Sequence, residues 1–139
     1  MLPLRPGASA MLALDTNVLV RVLVNDPTAP EQCRAARQMV SEAGEVSVSQ
    51  IVQVETAWVL TGAYGLSRAA LRAAMEKLAA HPAFHLQRQP IFLAALQYFG
   101  EAHADFADCM ILAESADAGC ELATFDRKFA RLPGTRLVK

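Results

Sequence analysis

The chain predicts an α/β fold in which a small, mostly parallel central sheet is flanked by helices. Short apolar, β-branched runs alternate with longer stretches of helical spacing in the order β-α-α-β-α-α-β-α-α-β-α-β, which calls for crossover connections. Hydrophobic residues make up 53% of 139 positions, enough for one domain with a real core. Residues that start and stop helices stand at most of the transitions.

Met11 to Leu14 is short, apolar and followed by polar residues, as a buried strand is. Asp15-Thr16-Asn17 then offers turn and cap chemistry, and Val18 to Val24 forms a helix stopped by Asn25-Asp26-Pro27. Thr28 to Ala43 is helical, with Pro30 near its start and Gly44 just past its end. Val46-Ser-Val48 alternates like a strand, and Ser49 caps a long helix through Thr61. Ser67 caps another through Ala80, ended by Pro82; Ala83 to Gln87 is a short strand with Phe84 and Leu86 on one face. Pro90 opens a helix to about His103. Asp105 caps the next, which ends at Gly119. Glu121 to Phe125 returns to strand, Arg127 to Ala130 makes a helical turn, and Thr135 to Val138 is the last strand.

Composition narrows the function. Charged residues are 19% of the chain, too few and too interrupted for a disordered protein. Cys33, Cys109 and Cys120 are odd in number and lack a C-x-x-C spacing, against a disulfide framework or zinc knuckle and in favour of a reducing cytoplasm. His81 and His85 are separated by Pro82, which spoils a shared helical face; His103 stands alone. No stretch has the ~18 uninterrupted apolar residues of a membrane span. Residues 1–10 read as a flexible leader before a single domain over 11–139, with Met11 as an alternative start. Walker, nucleophile-elbow and dinucleotide-glycine patterns are missing. A phospho-acceptor aspartate after the first strand is the enzymatic rival, but the dehalogenase-like pattern wants a second Asp where Asn17 stands.

Four acids carry the functional signal. Asp15 ends the first strand, Glu55 interrupts Ile51 to Leu60, Asp108 lies in Phe106 to Ala113, and Asp126 follows Leu122 to Phe125. A carboxylate buried alone costs roughly several kcal/mol, so it neutralises, pairs or binds a cation. In open parallel sheets functional groups gather beyond the carboxyl ends of strands, where these acids could meet as one metal-holding pocket. Each has a plainer alternative. Asp15 suits a helix cap, Glu55 a solvated face, Asp108 a first-turn position and Asp126 a turn cap or a pair with Arg127 or Lys128. Asp105 is a natural N-cap. If these four and Asp105 cluster, nine acids remain against 13 Lys and Arg, leaving about +4 elsewhere for a polyanionic partner.

Leu14-Asp-Thr-Asn-Val-Leu19, Val54-Glu-Thr-Ala-Trp58, Phe106-Ala-Asp-Cys-Met-Ile-Leu-Ala113 and Ala123-Thr-Phe-Asp-Arg-Lys-Phe129 together resemble the motifs of PIN-domain ribonucleases. The nearest branch is the VapC-type toxins of bacterial toxin–antitoxin pairs. The likeness spans about Met11 to Val138; the leader and Cys109-Met110 depart from it without touching a carboxylate. It implies a PIN-like three-layer sandwich and Mg²⁺- or Mn²⁺-dependent cleavage of RNA. Asp15 and Asp108 would be the principal metal ligands, with Glu55 and Asp126 completing the catalytic set. Asn17 and Thr124 would be donors that fix those carboxylates, and Arg21, Arg127, Lys128 and Arg131 candidate phosphate contacts. The implied partners are an RNA substrate, a VapB-like antitoxin and a second copy in a homodimer. The alternative is a catalytically silent PIN-like module that binds RNA or a protein partner.

Overall fold

The computed structural model describes residues 11–139; the leader expected over 1–10 lies outside them. Eleven regular elements follow in the anticipated order: β1 (Leu12–Ala13), α1 (Thr16–Leu23), α2 (Pro30–Ala43), β2 (Val46–Val48), α3 (Gln50–Gly62), α4 (Arg68–Ala80), β3 (Phe84–Leu86), α5 (Gln89–Glu101), α6 (Phe106–Asp117), β4 (Leu122–Thr124) and β5 (Thr135–Leu137). A 3₁₀ turn at Phe129–Arg131 joins the last two strands. The α/β class holds.

Every strand pair is parallel. β1, β2 and β3 lie side by side in that order, with Leu12 opposite Val46 and Val46 opposite Phe84. β4 and β5 form a separate two-stranded ribbon, Leu122 opposite Thr135. Parallel pairing requires the chain to cross back, and the helix pairs α1–α2 and α3–α4 make those crossings.

Local chemistry explains the boundaries. Ser49, Ser67 and Asp105 each accept a backbone N–H from the first turn of α3, α4 and α6, satisfying a donor the helix itself leaves open. Pro30 enters α2 in its first turn, and Gly44 closes it at φ +76°, a conformation that glycine adopts without penalty. α5 starts at Gln89 because Arg88 occupies the left-handed region at φ 52° and pairs with Asp117 on α6 at 2.8 Å.

One continuous core fills the centre. Val46 and Val48 of β2, Leu19 and Val20 of α1, and Leu60 of α3 are fully buried, as are Phe92, Leu112 and Cys109 from the second half. Phe106 packs edge-on against both Phe92 and Phe99, locking α5 to α6. Burial pushes the Cys109 thiol up to about 12, so it stays protonated and acts as a small apolar side chain. Among the described residues no helix is long and apolar enough to cross a membrane.

Candidate active site

The face that α3 buries is the reverse of the one its sequence suggests. Ile51, Glu55 and Trp58 form a stripe at helical spacing, which predicts a core-facing glutamate. Instead Ile51 is 72% and Trp58 57% exposed, and Glu55 is exposed between them. The polar residues Gln53 and Thr56 are at 0%, alongside Leu60. Gln53 earns its place by donating to the carbonyls of Val48 and Gln87, tying α3 to the ends of β2 and β3. A glutamate on an outward apolar stripe faces something other than the core.

Asp15 and Asp126 are likewise exposed, and only Asp108 is half-buried. The expectation of four buried acids is corrected to an open acidic edge. Their plainer roles are also present. Asp15, not Thr16, caps α1, accepting the Thr16 N–H at 2.8 Å. Asp126 accepts the amides of Lys128 and Phe129 and holds the 3₁₀ turn. Thr124 accepts the Asp126 N–H at 3.0 Å through its hydroxyl, so it fixes the backbone of that acid. Asn17 is exposed at the start of α1.

Two observations fix how α3 lies on α6. Gln50 reaches the Met110 sulfur at 3.9 Å near one end, while Trp58 and Asp105 line one cleft at the other. The helices therefore run antiparallel, and Glu55 and Asp108 fall between those two points. Asp105 meets Asp108 directly, its carboxylate accepting the Asp108 N–H at 2.8 Å. Burial, then the charge of Asp105 and the approach of the two carboxyls, then Asp126, hold the Asp108 carboxyl above its ordinary range. Asp105, Asp108 and Asp126 thus share one negative field. Glu55 lies on the outward stripe of α3 between Ile51 and Trp58, with no polar contact to these acids. Asp15 is linked through the packing of α1 on α3, with no polar contact to the other acids.

No lysine or arginine among the described residues pairs with any of these acids. The five ion pairs among the described residues use Asp26, Glu45, Glu76, Asp117 and Glu121. Arg21 is held in the Asp26–Tyr64 network, which removes it as a free phosphate contact. Arg127, Lys128 and Arg131 are exposed and enter no ion pair among the described residues. Among the described residues no three His, Cys, Asp or Glu side chains stand in a ready-made ligand group. The donor set nonetheless suits a hard cation, since the Asp108 carboxylate is repelled by Asp105 and Asp126; next to Asp15 in the chain, the buried Thr16 hydroxyl has no partner. The sequence pointed to Thr16 as a cap or a donor to a carboxylate, but gave no role to the equally unpartnered Thr56 hydroxyl or to Trp58.

The family model of the PIN domain matches residues 12–134, and the chain belongs to that family. A nuclease-type function on nucleic acid follows at that level, as does the usual reliance of such nucleases on divalent metal. No individual curated protein matches the chain.

Proposed function

We propose that this PIN-domain protein is a Mg²⁺- or Mn²⁺-dependent endoribonuclease, the toxin of a VapC-type toxin–antitoxin pair. The observation that supports it best is the Asp108 carboxyl, crowded by Asp105 and Asp126 with no cation from the protein to balance it. Asp15 and Asp108 would hold the ion, and Glu55 and Asp126 would complete the set. A bound divalent ion supplies charge neutralisation at a phosphodiester and makes water acidic enough to attack near neutral pH.

The chain's own residues do the remaining work. Asp105 orients the first turn of α6 and with it Asp108. Thr124 and the 3₁₀ amides set Asp126, and the cap at Asp15 keeps that acid at the end of β1. Arg127, Lys128 and Arg131 lie on the segment that follows Asp126 and suit the phosphates of a polyanion. The biological setting we infer is cytoplasmic, as a homodimer silenced by a VapB-like antitoxin, with residues 11–139 as the working domain.

Incubation with a mixed single-stranded RNA tests the reading. Cleavage should require Mg²⁺ or Mn²⁺, stop with EDTA and return on adding metal back. Undiminished cleavage in EDTA, or none with any divalent ion, sinks it and leaves the silent binding module.

A further inference from the structure

Beside the acidic edge, α3, α4, α5 and the start of α6 enclose a cleft of 310 Å³. That is the small end of the roughly 300–1,000 Å³ typical of ligand pockets. Its floor is apolar and aromatic, built by Leu71, Phe99 and Phe106, all buried. Trp58, the sole tryptophan of the chain, forms an exposed wall. The Arg68 guanidinium also lines the cleft, but it lies 3.7 Å over the Phe99 ring and donates to the carbonyls of Phe99, Ala102 and Ala104. Three of its five N–H donors are engaged, and they fix its position. Asp105 is the remaining charged group in the lining, and no lysine or arginine among the described residues meets it.

We propose that this cleft seats one nucleobase of a single-stranded substrate, stacked on Trp58 and read by Asp105. The identity of the occupant rests on the nuclease reading above. The placement supports it: Trp58 lies one helical turn past Glu55, and Asp105 one turn before Asp108. A base next to the reacting phosphate is therefore the group within reach. Unpaired bases stack on exposed aromatic rings and expose their pairing edges for hydrogen bonds. A carboxylate only accepts, so it selects cytosine, adenine or guanine, which present amino protons, over uracil, which presents one imino proton. An apolar side chain from a protein partner would fill the same space but bury the Asp105 charge with only the Asp108 amide to satisfy it. An amino-bearing base satisfies it.

Trp58 fluorescence provides the test on the intact protein, with EDTA present to suppress cleavage. Octanucleotides of cytidine or adenosine should quench it and bind about tenfold more tightly than octauridine. Trp58→Leu, read by nuclease-independent filter binding, should lose about tenfold in affinity, and Trp58→Phe should recover most of it. Asp105→Asn keeps the capping oxygen while offering an amide donor, so the preference should move toward uridine. Equal binding of all octanucleotides by wild type and variants overturns the proposal. So does a Trp58 signal that changes with protein concentration alone, which assigns the face to a second copy. If base-selective quenching persists where Mg²⁺ yields no cleavage, the cleft stands and the nuclease reading falls. If Trp58→Leu cuts RNA at the wild-type rate and positions, the reverse holds.

Discussion

Two aspartates show how one side chain takes opposite parts in this molecule. Asp26, at the turn after α1, accepts from the Thr28 amide at 2.9 Å and hydroxyl at 2.6 Å and from the Tyr64 hydroxyl at 2.7 Å. Arg21 lies 3.4 Å away. The Thr28 and Tyr64 hydrogen bonds, with Arg21 adding to them, pull its carboxyl down to about 2. Asp108 has acids for neighbours instead, and its carboxyl is raised. The first carboxylate is a clamp whose charge the fold neutralises. The second is a charge the fold leaves unbalanced, and the proposed function sets an external cation against it.

The largest effect that could break this contrast is on cleavage. Asp108→Asn or Asp15→Asn should lower the rate at least ~10³-fold, roughly 4 kcal/mol of transition-state stabilisation, with an unchanged far-ultraviolet spectrum. A variant that cuts at the wild-type rate removes that residue from the site. Thr124→Val should cost about tenfold, since it frees the Asp126 backbone without touching a carboxylate.

Stability should move in opposite directions at the two aspartates. Without metal at pH 7, Asp108→Asn should raise Tm by about 2–4 °C, because it removes a charge that the folded state disfavours. Tyr64→Phe should lower Tm by a similar amount, about 2–4 °C, with cleavage unaffected. Calorimetry of both variants decides it, and shifts of the same sign would erase the distinction. Mg²⁺ should then stabilise the wild type more than Asp108→Asn.

The smallest effect concerns acid. A depressed carboxyl contributes stability that is complete above its unfolded value of 3.8 and is lost as pH falls through about 2. Asp26→Asn should therefore flatten the stability curve between about pH 4 and pH 2, as followed by urea titration. A curve as steep as the wild type's would show that the clamp carries no linkage.

The element order and most helix starts were legible because their signals are local: Ser49, Ser67 and Asp105 cap where their side chains reach the next turn. The buried face of α3 was not. Both faces of that helix carry apolar residues, and the deciding contacts of Gln53 run to the carbonyls of Val48 and Gln87, distant in sequence. Arg88 was equally opaque, since no glycine or asparagine announces its left-handed backbone. At the site, the residue types and order of the acids could be read directly. Their exposure could not, because it depends on which side of α3 and α6 turns outward. The separation of the sheet into two ribbons also left no trace in strand-length runs.

That separation has a consequence for assembly. Leu122 meets Thr135 across a single 3₁₀ turn, whereas Leu12 reaches Val46, and Val46 reaches Phe84, only after two helices each. Loop closure grows more costly with the chain it spans, so the C-terminal ribbon is expected to zip first and the N-terminal strands last. Amide protection should appear in Leu122–Thr124 before Leu12–Ala13. Asp126 is then in place early and Asp15 late, so under the proposed function a half-folded chain would not yet cut.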